Sequence, residues 1–195
     1  MRLTVASKAA LDYGWSLPIA EFHYVPATIP YSLSMADPDD FEIRTLDDEI
    51  HVDQLCGQLL LSIRDLLVEQ GFSPLEAGDL CRGADYFLRD FVIAECHDNL
   101  FRLPAERVRQ FAGHWYIVRT LEPNVDELVV LLAGATACYG IFAGHGLVPP
   151  ELAAAIDKAC ADLPFYRQRI EDFWAIEGDG FDGWRRDCPL PPLRS

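Results

Sequence analysis

The sequence predicts an all-α fold: a single domain in which about five or six helices surround one buried helix. Three observations lead to this prediction. Apolar residues recur at helical spacing over most of residues 47–177. The connections between these periodic segments are short, and several carry residue types that cap helices. No part of this region has a credible strand pattern.

The two ends of the chain differ from this helical domain. Residues 1–46 contain four prolines and no sustained helical period, so we predict an irregular N-terminal arm. The aromatic residues of the arm indicate that it packs on its own domain or on a second copy, which makes a homodimer possible. Residues 178–195 have no helical period either and are predicted to form an extended or partly disordered C-terminal tail.

The buried helix is predicted over residues 125–145. Its core is the uncharged run LVVLLAGATACYGIFAG, which is apolar or small on almost every side. Asn124 is a suitable N-cap, and Glu127 lies three residues later, as in a capping box. Gly144 and Gly146 are suitable stop signals.

The buried helix also carries a stripe of small residues, formed by Ala133, Ala137, Gly140 and Gly144. We expect this stripe to let a neighbouring helix approach closely. The alternative is that Gly140 and Gly144 form a ledge on which a flat cofactor lies. A membrane span is a third interpretation, because the run is close to the required length of about 20 residues. The acidic flanks of the run favour a buried helix without membrane contact.

Capping signals and hydrophobic periodicity define the other helices. Thr45 with Asp48 begins the first, and Ser73, Pro74 and Glu76 begin the second. The third starts near Pro104 and ends near Leu121, with a core stripe of Val108, Phe111, Trp115 and Val118. Two more follow the buried helix, over about residues 150–163 and 165–176.

Charge and cysteine content restrict the classes of function. With 16 basic and 31 acidic residues, the formal net charge is −15, which argues against nucleic-acid binding and against an anionic membrane surface. The N-terminal residues lack the apolar core of a signal peptide, so we expect a cytoplasmic protein. The six cysteines include no C-x-x-C pair and are expected to be reduced core residues.

No nucleophile elbow, phosphate loop or zinc-protease motif occurs in the sequence. A non-catalytic accessory or regulatory module that binds a protein or peptide is therefore the favoured function, although enzymatic activity stays open. Two surfaces are candidates for partner binding. One is the acidic stretch of residues 37–53. The other is formed by His114, Tyr116 and Arg119, which are predicted to project away from the core stripe of the third helix.

A metal- or cofactor-binding enzyme or sensor is the alternative function. Asp90 and His97 lie seven residues apart, two turns along one helix face, while His114 and His145 lie on the two following helices. If these helices meet at one end, the four side chains could hold one zinc or iron ion. No cofactor is otherwise evident.

Overall fold

The computed structural model describes residues 32–191 and confirms the all-α, single-domain prediction: these residues form helices and no strand. The helices are α1 (Leu46–Glu69), α2 (Pro74–Asp85), α3 (Glu106–Gln110), α4 (Tyr116–Arg119), α5 (Val125–Gly144), α6 (Pro150–Cys160), α7 (Leu163–Trp174) and α8 (Phe181–Arg186). The described residues also form two π-helical segments. The first π segment (Tyr86–Ile93) continues α2, and the second (Phe111–Trp115) joins α3 to α4.

The predicted capping signals for α1 and α2 are confirmed. Thr45 and Asp48 form a reciprocal capping box at the start of α1. Ser73 and Glu76 form the same arrangement at the start of α2, with Pro74 at the first helical position. Each box satisfies two backbone N–H groups that would otherwise lack partners, which explains why these helices begin where they do.

The closest helix–helix contact joins α2 to α5 through two glycines. A Cβ atom at Gly83 would lie 2.7 Å from the carbonyl oxygen of Val130, and one at Gly134 would overlap the backbone of Leu80 and Ala84. Because only hydrogen atoms stand between the two backbones here, the helices touch along their main chains. Glycine inside a helix lowers helix stability by about 1 kcal/mol relative to alanine. The close backbone contact explains why both positions nevertheless carry glycine.

The backbone contact with α2 lies beside the predicted small stripe and not on it, and close packing along the stripe itself stays a prediction. The tight contact uses Gly134, which lies one residue away from that stripe, and its partner is Gly83. Gly144 is exposed, and a Cβ atom there would have no neighbour within 4 Å. The small residues of α5 were recognised in the sequence, but the face that meets α2 depends on the orientation of both helices.

The predicted core of the third helix is correct up to Trp115 and wrong at Val118. Val108, Phe111 and Trp115 are buried, whereas Val118 is 45% exposed. The second π segment explains the difference. A π turn closes i→i+5 hydrogen bonds and so contains more residues than an α turn, which rotates every later residue about the helix axis. Tyr116 and Ile117 consequently face the core.

The C-terminal tail is more ordered than predicted. Helix α8 forms within it, Trp184 is buried, and the indole Nε1 of Trp184 donates a hydrogen bond to the carbonyl oxygen of Arg169 at 3.0 Å. Cys188 is buried as well. A six-residue helix is too short to show a hydrophobic period, so the pattern could not reveal it.

The N-terminal arm is described only from residue 32. Short 3-10 turns at Leu33–Met35 and Pro38–Phe41 place Leu33 and Phe41 in the core, and the ring of Phe41 meets that of Phe101 edge-on. Residues 1–31 lie outside the described part of the chain. The homodimer expected through this arm therefore stays a prediction.

Helix α5 is long and apolar enough to span a membrane by length and composition, the only such helix among residues 32–191. Half of its most apolar window is buried within the protein. It packs against α2, α6 and α7. A core helix surrounded by other helices meets the same criteria, and these contacts support that interpretation.

The α2–α5 contact yields a first prediction. Gly134→Ala should lower the free energy of unfolding by about 1–3 kcal/mol or more, because its Cβ would force two backbones apart. Gly78→Ala, also in α2, is the matched control: its Cβ meets nothing within 4 Å. That change should leave stability unchanged or raise it by up to about 1 kcal/mol. Urea unfolding of both variants measures the difference, and equal stabilities would contradict the assigned contact.

Candidate functional site

The two π segments face each other across a cluster of aromatic rings. Phe111, in the second segment, lies 5.1 Å from Phe87 and 5.5 Å from Phe91, measured between ring centroids. Trp115 lies 5.5 Å from both Tyr86 and Phe91. π turns are rare and often occur at functional sites. The end of α4 follows directly after this cluster, so the surface there is a candidate site.

Glu95 holds the outer edge of this cluster. Its carboxylate oxygen Oε2 accepts a hydrogen bond from the indole Nε1 of Trp115 at 3.0 Å and from the Nη2 of Arg119 at 2.9 Å. The guanidinium of Arg119 also lies 5.8 Å from the Trp115 ring centroid. Arg119 is largely exposed, so it is held in place while its charge stays accessible to solvent.

Tyr116 is buried and has a structural role at the start of α5. Its hydroxyl oxygen lies 2.8 Å from the Glu127 carboxylate and accepts a hydrogen bond from the Asn124 backbone N–H at 3.2 Å. Burial raises the pKa of this hydroxyl above its usual value. The side chain of Asn124 accepts a hydrogen bond from the Glu127 backbone N–H, as predicted. The second bond of a capping box would join the Asn124 backbone N–H to the Glu127 side chain, but here that N–H donates to the Tyr116 hydroxyl instead.

His114 is buried beneath the C-terminal segment. Its Nδ1 lies 2.6 Å from the carbonyl oxygen of Cys188, and because a carbonyl only accepts, Nδ1 carries the hydrogen. The ring meets Trp184 edge-on at 5.2 Å between centroids. Burial lowers the pKa of the imidazole, and the positive charges of Arg169 and Arg185 lower it further.

The predicted surface of His114, Tyr116 and Arg119 is consequently not one surface. His114 and Tyr116 are buried against different partners, and only Arg119 reaches solvent. The rotation introduced by the second π segment is the physical reason. Sequence periodicity at 3.6 residues per turn could not anticipate it.

The four predicted metal ligands lie in separate surroundings. His97 pairs through Nε2 with Glu49 at 3.2 Å, and the exposed His145 lies with Nδ1 3.0 Å from the carbonyl oxygen of Ile141. Burial raises the pKa of the carboxyl group of Asp90. Within residues 32–191 no group of three or more His, Cys, Asp or Glu side chains is placed to hold a metal ion. The described residues do not bring these four side chains together in such a group, and a metal site that uses them stays a prediction.

The cofactor site proposed on α5 consists of Gly140 and Gly144. Gly140 is partly buried, but Gly144 is exposed at the end of the helix, next to the exposed His145. The two glycines therefore differ in their surroundings, and a cofactor site on them stays a prediction.

Much of the acidic stretch of residues 37–53 is used within the protein. Asp37 and Asp48 cap the second 3-10 turn and α1. Arg102 binds the carboxylates of both Asp39 and Glu42. The remaining ion pairs are Arg89 with Asp53, through two hydrogen bonds of 2.7 and 2.8 Å, and His97 with Glu49. A partner that docks on this stretch would compete with these internal bonds.

Several exposed side chains lie at the end of α4 and just after it. Val118, Arg119 and Leu121 are exposed there, Trp174 is exposed at the end of α7, and we name these four residues the Leu121–Trp174 patch. Leu121 is 91% exposed and Trp174 is 58% exposed. The indole Nε1 of Trp174 donates a hydrogen bond of 3.3 Å to the carbonyl oxygen of Pro123, which places the end of α7 beside the connection that carries Leu121.

The sequence indicates Arg119 as a recognition residue but not the rest of this patch. Its periodicity predicts Val118 in the core and the end of a helix near Leu121. Trp174 lies on α7, which is distant in sequence. The one available signal was the concentration of recognition residues in residues 111–119.

The chain matches no protein-family model, no curated protein and no solved structure. Function is therefore inferred from the geometry of the described residues.

The position of His114 yields a second prediction, on pH dependence. The unfolded chain takes up a proton on this histidine near pH 6.5, whereas the folded protein does so only at lower pH. The unfolded state then binds more protons in this window, so the free energy of unfolding should fall as pH decreases from 7.5 to 5.5.

Urea unfolding at pH 7.5, 6.5 and 5.5 measures this effect. His114→Asn keeps an N–H donor without the titration, so its stability should fall less steeply than that of the wild type. His145→Asn, at an exposed position, serves as the control and should follow the wild type. Parallel profiles for all three proteins would show that His114 does not titrate differently on folding.

Proposed function

We propose that this protein is a non-catalytic accessory or regulatory module that binds a protein or peptide through the Leu121–Trp174 patch. The observation that carries the proposal is the exposure of Leu121 and Trp174 on neighbouring segments. Each large apolar side chain left in water forgoes about 1.5–3 kcal/mol of burial free energy. A partner that covers both side chains would recover much of it.

The composition of the patch supports protein recognition. Trp and Arg are among the residue types most enriched at binding hot spots, and Arg119 is already held by Glu95. Trp174 is likewise restrained by its hydrogen bond to Pro123. Restrained side chains lose less conformational entropy on binding than free ones do, so the patch is partly organised for a partner.

Carboxylates lie close to Leu121 and Trp174 along the chain, and they indicate the charge of the partner. Glu122, Asp126, Glu171 and Glu177 are exposed, and none of them forms an ion pair with another described residue. An apolar centre with an acidic rim complements a segment that carries a large apolar side chain flanked by Lys or Arg. We therefore commit to a basic, amphipathic peptide segment as the occupant.

The state of the buried cysteines supports a non-catalytic role. Burial raises the pKa of the thiols of Cys81 and Cys160 to about 12, and it raises that of Cys138 as well. Since the thiolate is the nucleophilic form, these side chains act as small apolar core residues.

The proposal gives a third prediction. A random-peptide library displayed on phage and selected on the full chain should enrich peptides with a large apolar residue next to Lys or Arg. The double substitution Leu121→Ser/Trp174→Ser should weaken the binding of these peptides at least about tenfold, which corresponds to about 1.4 kcal/mol. Affinity should also fall with added salt, because the rim contribution is electrostatic.

Leu75→Ser is the matched control, because Leu75 is a similarly exposed leucine near the start of α2. Peptide affinity should be unchanged in this variant, and both variants should unfold cooperatively in urea. Enrichment of acidic peptides, equal binding to the patch variant and the wild type, or no enrichment would overturn the proposal.

A further inference from the structure

Arg169 is a buried cation without an anion in hydrogen-bonding contact. Only 4% of its side chain is exposed. Its Nε donates a hydrogen bond to the carbonyl oxygen of Gly113 at 3.0 Å, while its buried Nη2 has no hydrogen-bond partner among the described residues. An unpaired buried charge is costly, and loss of a hydrogen bond to such a group costs more than for a neutral one.

The position of the guanidinium is nevertheless well determined. The ring of Trp184 lies over it, with 3.8 Å between the Arg169 Cζ and the ring centroid, and the indole Nε1 donates to the Arg169 carbonyl oxygen. One face is therefore covered by an aromatic ring, and Nε is fixed by Gly113. The edge formed by Nη1 and Nη2 is the part that lacks a full set of partners.

This edge lies close to solvent at one point. The nearest carboxylate oxygen that forms an ion pair with Arg169 is Oδ2 of Asp187, 4.0 Å from Nη1, which is too long for a hydrogen bond. The Asp187 side chain is 76% exposed. A small movement of this residue would bring its carboxylate onto the Nη edge or leave room for another anion.

The local charge also favours an anion. Arg169 and Arg185 both act on His114 as positive charges, and Arg109 and Arg169 both act on the Cys188 thiol. Arg109 and Arg185 already pair with Asp162 and Asp182, so Arg169 is the one of these three cations that has no carboxylate of the described residues within hydrogen-bonding distance. A planar guanidinium edge matches the two oxygens of a carboxylate, which can accept two parallel hydrogen bonds.

We propose that the Nη1–Nη2 edge of Arg169 is a carboxylate-binding site between α7 and the segment Phe181–Cys188. The ligand is a carboxylate group from one of two sources. It is either the side chain of Asp187, which turns inward, or a free small carboxylate that replaces it. The proposal does not depend on the Leu121–Trp174 patch.

A double-mutant cycle tests the internal source. The thermal unfolding midpoint of the full chain is measured for the wild type, Asp187→Asn, Arg169→Met and the combined variant. If Asp187 is the ligand, Asp187→Asn should lower the midpoint by about 2–4 °C in the wild type and have no effect when Arg169 is Met. Asp182→Asn, at an equally exposed position in α8, is the control and should have little effect in either background.

Sodium acetate tests the free source, with sodium chloride at matched ionic strength as the reference. If the site takes a free carboxylate, acetate should raise the midpoint of Asp187→Asn in a saturable manner and leave Arg169→Met unchanged. Absence of both coupling between positions 169 and 187 and an acetate effect would overturn the proposal.

A second measurement applies if Arg169→Met does not fold. In ¹⁵N-labelled wild type and Asp187→Asn, the Arg169 guanidinium resonance is assigned by its loss in Arg169→Lys. Saturable movement of this resonance with acetate, or its displacement between wild type and Asp187→Asn without acetate, supports the site and identifies the source. A resonance that is the same in both proteins and does not move with acetate contradicts it.

Discussion

The direct backbone contact between α2 and α5 is the constraint on which the rest of the domain depends. Gly83 and Gly134 let the two helices meet without intervening side chains. Helix α2 continues into the first π segment, and α5 begins at the cap that Tyr116 completes. The position of one helix against the other therefore also sets where the aromatic cluster and the end of α4 lie. A backbone cannot change rotamer as a side chain can, so this contact restricts the relative position of α2, α5 and the segments joined to them.

The second π segment determines which residues of the third helical region reach solvent. The additional residue in its turn directs Tyr116 and Ile117 inward and leaves Val118 at the surface. Arg119 remains exposed and is held by Glu95, and Leu121 follows on the connection to α5. A local change in helical pitch thus produces an apolar surface beside a fixed arginine. The proposed binding function depends on this change.

The excess of negative charge is distributed unevenly between structural and accessible positions. Near the start of α1, carboxylates cap helices and bind arginines, so that region has a defined internal role. Close to Leu121 and Trp174 along the chain, carboxylates such as Glu122 and Glu171 are exposed and form no ion pair with described residues. Arg169 is the opposite case, since it is a buried cation without a bonded anion. The unpaired carboxylates underlie the proposed peptide-binding patch, and the buried arginine underlies the proposed carboxylate-binding site.

The sequence by itself determined the helical class, the start of each long helix and most of the core, because capping and hydrophobic spacing are local properties. The capping box of Ser73 with Glu76, and the burial of Phe111 with Trp115, needed no information from distant residues. The tertiary structure decided the rest. The pairing of Gly134 with Gly83, the inward turn of Tyr116 and the return of Trp184 onto Arg169 each join segments whose relative placement depends on the packing of whole helices. A pattern read along one segment contains no information on that placement, and the candidate site lies where such segments meet.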